Sequence, residues 1–242
     1  MELVAGFTPE NTFHFLGGRF RATYRPLNDA IISGRIRGVA GVVGCNNPKI
    51  CHDYGHLTLV KELIRKDVLV IQTGCSAIAS AKAGLLKPEA AFKYAGKGLR
   101  EICEAVGIPP ILHMGSCVDN SRILIACCEM VKEGGIGDDI SQLPVAAAAP
   151  EAMSEKAVAI SFYAVASGIF TVYSPQPNVF GSKNLLNLLC NELNKNFGAS
   201  FAFEDDPVKA AGLIINHINS KRAALKLKPM MYEYEENIPQ LA

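Results

Sequence analysis

Pro110-Ile-Leu-His-Met-Gly-Ser-Cys117-Val-Asp-Asn-Ser-Arg122 is the stretch from which the fold can be read. A short apolar run ends in Gly-Ser-Cys. Asp119, Asn120 and Ser121 follow as helix-cap residues, and Ile123, Leu124, Cys128 and Val131 then repeat at helical spacing. The pattern is strand, tight turn, helix, with a thiol on the turn. It occurs twice earlier. Residues 39–43 run into Gly44-Cys45, and residues 68–72 run through Thr73 into Gly74-Cys75. Three strands thus each deliver a cysteine at the carboxyl end. In an open α/β sheet that end is where ligands bind. A thiol just ahead of a helix N-terminus is also favoured as thiolate.

Two readings of Cys45, Cys75 and Cys117 are open at this point. They converge as thiolate ligands for soft metals, or they are small apolar residues that pack where strands end.

The rest of the chain repeats the alternation. Helices are expected over residues 25–33, over 57–66, over 76–83, and as one longer helix opened by Pro88-Glu89 with the stripe Phe92, Ala95, Leu99, Ile102 and Val106. Further strands are expected at 145–149, 169–173 and 201–203. Helices are expected from Pro150-Glu151 to Gly168, around Leu185, Leu186, Leu189 and Leu193, and from Pro207 to Leu225. Strands alternating with helices imply a Rossmann-like α/β fold, a mostly parallel sheet with helices on both faces. Residues 1–242 form a single domain on this reading, with 1–24 as a peripheral lead-in and 226–242 as a loosely held tail.

Composition narrows the function classes. The chain has 242 residues, 49% hydrophobic, with net charge +1. No basic run suggests nucleic acid as a partner, and no run of apolar residues is long enough for a membrane span. The start lacks the features of an export signal. Eight cysteines without a Cys-x-x-Cys pair point to a reduced, cytoplasmic setting in which thiols bind metal or fill the core. Cys103, Cys127, Cys128 and Cys190 lie on or beside apolar helix faces and read as core. Cys51, next to His52, reads as structural rather than as a metal ligand; His52 and His56, four apart, have no zincin-type glutamate between them; and His113 reads as a hydrogen-bonded buried histidine. The Gly134–Gly137 loop lacks the dinucleotide spacing, so no nucleotide is expected.

Four motifs occur in one order: Gly44-Cys45-Asn46-Asn47-Pro48-Lys49, then Thr73-Gly74-Cys75-Ser76-Ala77, then His113-Met114-Gly115-Ser116-Cys117-Val118-Asp119-Asn120-Ser121-Arg122, then Pro150-Glu151-Ala152-Met153-Ser154-Glu155-Lys156-Ala157. Together they resemble the C-terminal part of the catalytic subunit of anaerobic nickel–iron carbon monoxide dehydrogenases, from about Arg25 to Arg222. The related hybrid-cluster proteins share the fold but differ in these motifs. The resemblance implies that Cys45, Cys75 and Cys117 ligate a nickel–iron–sulfur cluster, with Cys117 on nickel. Lys156 matches the family's active-site lysine, a residue that by type alone reads as a solvated surface charge. Ile160 matches the residue above the nickel.

The implied reaction interconverts CO and water with CO2, two electrons and two protons. A ferredoxin-like acceptor takes the electrons, and the enzyme is a homo-oligomer. The family's N-terminal and middle domains supply further ligands, including a histidine, so the resemblance implies that this segment is inactive without them or a companion chain. A domain without a cluster, kept for partner binding, is the alternative. Ala152 stands where the family has a bulky aromatic residue.

Overall fold

Six short strands carry the molecule in a computed structural model that describes residues 6, 8–17 and 23–232. They are β1 (Gly38–Val42), β2 (Val68–Gln72), β3 (Ile111–His113), β4 (Val145–Ala149), β5 (Thr171–Tyr173) and β6 (Phe201–Phe203). β1 and β2 are buried at every position, as strands covered on both faces must be. That coverage explains why their sequences are continuous apolar runs without alternation. All the pairings are parallel, in the order β3-β2-β1-β4-β5-β6. Register is set by pairs such as Val39 with Leu69 on one side and Val39 with Val145 on the other. This is the doubly wound order, in which the chain reverses direction across the sheet between β1 and β4.

The helices are α1 (Pro9–Gly17), α2 (Arg25–Ile32), α3 (Tyr54–Arg65), α4 (Gly74–Lys82), α5 (Ala90–Tyr94), α6 (Lys97–Val106), α7 (Ser121–Glu133), α8 (Glu155–Ala166), α9 (Lys183–Asn187), α10 (Leu193–Phe197) and α11 (Pro207–Ala224). A π-turn over Leu188–Glu192 joins α9 to α10. α3 and α11 pack on each other over one sheet face, while α1 and α2 pack on α7 and α8 lies against β4 and β5. Along β1, the side of Gly38 faces Ile218 of α11 and the side of Gly41 faces Ile123 of α7. Successive residues therefore serve opposite layers. α3 contributes Leu59, Val60, Leu63 and Ile64, all fully buried, each stabilising the fold by about 1.5–3 kcal/mol relative to exposure.

Several expectations are corrected. The helix read from Pro88 to Val106 is two helices, and Phe92 on its stripe is exposed. Asp67, in the α3–β2 turn, accepts from the Leu99 backbone N–H at 2.8 Å and so caps α6 from outside. The helix is interrupted by extended backbone at Ala95 and Gly96, and a side chain at Gly96 would collide with the Asp67 carboxylate. The helix expected from Pro150 starts only at Glu155, with Ser154 as its N-cap. Glu151 is instead fully buried in the preceding turn. Cys128 is exposed rather than core, because it shares α7 with Cys127 and points the other way. Cys190 is half-buried within the π-turn.

At the chain ends, Pro9–Gly17 is a helix with Leu16 buried. Residues 226–232 are docked: the Met231 N–H donates to Gly34 O at 2.9 Å, and Tyr232 Oη donates to Glu101 at 2.7 Å. Arg222, buried on α11, donates to the carbonyls of Ile31, Ile36, Arg37 and Lys228. The remainder of the expected lead-in and tail lies partly outside the described residues.

Candidate functional site

β3, β2, β1 and β4 are neighbours, so the segments that leave their carboxyl ends sit side by side, one strand spacing of about 4.8 Å apart. Those segments carry Cys117, Cys75, Cys45 and Lys156 in that order.

Cys117 lies half-buried on the β3–α7 loop. Strand pairing continues past β3, with Met114 N–H on Gln72 O at 2.9 Å and Gly74 N–H on Gly115 O at 3.0 Å. The loop then folds back over the end of β2. A side chain at Gly74 would meet the Cys117 Cβ at 3.0 Å. Asp119 closes the turn by accepting from the Ser116 N–H at 2.7 Å and hydroxyl at 3.0 Å. Those bonds hold its carboxyl below the usual carboxylate range. Asn120 donates to Cys117 O at 3.0 Å and is bonded to the Thr73 hydroxyl.

Cys75 is not at a strand end but in the first turn of α4, and it is exposed. Cys45 does not immediately precede a helix either. A turn-rich link separates it from α3. It is half-buried, with Sγ 3.8 Å from the Ser154 hydroxyl.

Lys156 stands in the first turn of α8 and is exposed, and its Nζ donates to Cys117 Sγ at 3.3 Å. Ile160, one turn further along, is half-buried. It lines an apolar cavity of about 70 Å³ between the sheet and the helices, with Val39, Gly41, Leu112, Ile123 and Leu124. The structure therefore brings Lys156 onto Cys117 and Ser154 onto Cys45, and leaves Cys75 exposed in the first turn of α4, the helix that follows the intervening strand β2.

Among the described residues no three His, Cys, Asp or Glu side chains are grouped closely enough to hold a single metal ion.

The other candidates separate. His113 Nδ1 accepts from the Gly115 N–H at 3.1 Å, and burial pushes its pKa down. His52 is exposed beside Lys82 and Asp53, whereas His56 is fully buried, so the two do not converge. His56 Nε2 lies 2.6 Å from Cys45 O. Since a carbonyl only accepts, this nitrogen carries the proton. Burial lowers the His56 pKa, partly offset by the Cys45 carbonyl and Glu151.

Sequence reading weighed His56 only alongside His52 and took Glu151 as a helix start, so their roles beside Cys45 were missed. The available signal was the Asn46-Asn47 pair. Its side chains reach Asp53 at 2.7 Å, Glu151 at 3.2 Å and Ala152 O at 2.8 Å. Ala152 itself is buried, and its N–H donates to Ser174 O at 2.8 Å.

Residues 4–208 match the model of the Prismane/CO dehydrogenase family. Carbon monoxide dehydrogenase 1 of Methanosarcina mazei is 55% identical over 226 residues, covering 93% of this chain and 35% of that protein. The β subunit of carbon monoxide dehydrogenase/acetyl-CoA synthase of Moorella thermoacetica is 39% identical, covering 89% of this chain and 33% of that protein. Among solved structures, a nickel-free carbon monoxide dehydrogenase from Thermococcus sp. AM4 superposes with a TM-score of 0.89 at 50% identity, over 94% of this chain and 35% of that one. Carbon monoxide dehydrogenase IV of Carboxydothermus hydrogenoformans gives 0.89 at 46% identity, over 93% and 37%. The chain thus spans about a third of the length of these relatives.

Proposed function

Because this chain belongs to the Prismane/CO dehydrogenase family, we propose that it is the C-terminal α/β domain of a carbon monoxide dehydrogenase. In this reading Cys45, Cys75 and Cys117 supply thiolates to a nickel–iron–sulfur cluster, and Lys156 is the charged group beside it. The observation that carries the reading is the 3.3 Å contact of Lys156 Nζ with Cys117 Sγ. Two residues from different strand ends meet at the carboxyl edge of the sheet, next to the switch point where such folds bind ligands.

The donor chemistry fits. Thiolates suit iron and nickel, and their spread along the edge suits a cluster of several metals. When bound, the cluster supplies the redox chemistry that interconverts CO and water with CO2, two electrons and two protons. The protein's own residues do the rest. Cys117 and Cys45 present sulfur from turns locked by side-chain hydrogen bonds, and Cys75 from a helix start. The Lys156 ammonium places positive charge at the edge, where it stabilises carboxylate charge that develops on a substrate. Ile160 and the mainly apolar cavity behind it give that side of the site a largely apolar wall.

The remaining ligands belong to the parts of the relatives that this chain does not span, supplied by the same polypeptide or a companion. A ferredoxin-like acceptor and a homo-oligomeric assembly complete the proposal. No described helix is long and apolar enough to cross a membrane.

The test is iron, nickel and sulfide analysis of the protein, reconstituted anaerobically alone and together with the remaining family domains. Iron and sulfide should bind to the parent and to a Cys128→Ser control, and should be lost in Cys45→Ser, Cys75→Ser and Cys117→Ser. Equal metal content in the control and the three variants, or none under either condition, would refute it.

A further inference from the structure

We infer that His56 and Glu151 are positioning residues, a buried brace that sets Cys45 relative to the segment carrying Lys156. The last ladder bond between β1 and β4 is Val43 N–H to Ala148 O at 2.9 Å. Beyond it the two chains leave for opposite faces of the sheet, one toward α3 and the other toward α8. No backbone pairing can hold them together there, and side chains take over.

Three successive residues are clamped. Cys45 O accepts from His56 Nε2 at 2.6 Å. The Asn46 amide donates to Glu151 at 3.2 Å and to Asp53 at 2.7 Å. The Asn47 amide donates to Ala152 O at 2.8 Å. Glu151 ties the assembly to α3 by accepting from the Gly55 N–H at 2.9 Å, and its other oxygen lies 3.9 Å from His56 Nε2. Ser154, whose hydroxyl is 3.8 Å from Cys45 Sγ, and Lys156 follow directly from the clamped 151–152 peptide.

His56 is not a space-filling residue. It is fully buried, yet its Nδ1 has no hydrogen-bond partner among the described residues. An apolar ring would fill the same volume without leaving a buried polar atom unmatched, a loss that is costly in a protein interior. What the imidazole provides in return is the bond to the Cys45 carbonyl. Neither Cys75 nor Cys117 has an equivalent. Cys75 is held by its own helix, and the Cys117 carbonyl by Asn120 three residues away.

This inference rests on Cys45 being a cluster ligand, and the experiment separates the two claims. Metal-free protein is pulsed anaerobically with N-ethylmaleimide, and each cysteine is quantified by peptide mass spectrometry. His56→Phe keeps a ring without the donor. His56→Gln keeps a donor in nearly the Nε2 position. Labelling of Cys45 relative to Cys117 should rise about fivefold or more in His56→Phe, the scale set by one lost hydrogen bond. It should stay within about twofold of wild type in His56→Gln, with Cys103 and Cys127 protected throughout. An unchanged ratio in His56→Phe, a Gln variant as labile as the Phe variant, or simultaneous exposure of Cys103 and Cys127 would each overturn the brace. Reconstitution of Cys45→Ser judges the ligand claim by itself: iron content equal to wild type refutes that claim whatever the labelling shows.

Discussion

Replacing Gly74 by alanine probes the geometry of the Cys117 loop directly. Gly74 has φ +59°, and an added Cβ would sit 3.0 Å from Cys117 Cβ and 3.2 Å from Cys117 N. The left-handed backbone conformation costs a residue with a Cβ about 1–2 kcal/mol. The contact is tighter than van der Waals packing allows, and relieving it costs a further ~1–2 kcal/mol. Gly84 separates the two effects: its φ is +72° with nothing within 4 Å of an added Cβ. Gly84→Ala should therefore show the backbone cost alone, about 1–2 kcal/mol, and Gly74→Ala about 2–4 kcal/mol. For a chain of this size, about 3 °C of Tm accompanies each kcal/mol. Thermal unfolding followed by circular dichroism should thus place the Gly74 variant roughly 6–12 °C below wild type and the Gly84 variant roughly 3–6 °C below. N-ethylmaleimide labelling of Cys117 should rise only in the Gly74 variant. Equal Tm losses with unchanged Cys117 labelling would refute the claim that close approach to Gly74 holds the loop.

His217, stacked on Phe170 with ring centroids 4.5 Å apart, is pushed down to about 4 by burial and the Lys221 charge. The unfolded chain binds its proton first, so stability should fall by about 2 kcal/mol between pH 7 and pH 5. Denaturant titrations at both pH values should show this slope flattened in His217→Phe, and an unchanged slope would count against it. Arg222→Met removes the guanidinium donor from four backbone carbonyls, of which Ile31 O keeps the Gly34 N–H. It should lower the unfolding free energy by about 2–5 kcal/mol, measurable by the same titrations, and a loss under 1 kcal/mol would show that water replaces the guanidinium. Burial holds the thiols of Cys103 and Cys127 up at about 12, whereas Cys128 is exposed. Ellman's reagent at mild alkaline pH should therefore titrate Cys128 in the native protein, and Cys103 and Cys127 only after denaturant.

How much could be read in advance varied with the origin of each feature. The strands at 39–43, 68–72 and 145–149 were legible because a strand covered on both faces leaves an apolar run, whereas the edge strand at 201–203 is only partly buried beyond Phe201 and was marked by its aromatic residues. The fifth and third strands are shorter than their apolar runs. The Pro88–Val106 stripe misled, because helical spacing continues across a break capped by Asp67, a residue outside the segment. Glu151 misled in the same way: beside Pro150 it looks like a helix start, yet its carboxylate is bonded to Gly55 and Asn46. The motifs pointed to Cys45, Cys75, Cys117 and Lys156 and gave no sign of His56, since nothing local marks a histidine whose partner is a carbonyl eleven residues away.

By itself the sequence determined the type of each main element and put three thiols and a lysine after strands, because periodicity, caps and turn residues act within one or two turns of chain. Only the tertiary structure decided that those strands lie in the order β3-β2-β1-β4 and that Lys156 meets Cys117. Strand order depends on hydrogen bonds and packing between residues far apart in the chain. Many orders bury the same apolar runs equally well, and local pattern does not distinguish among them.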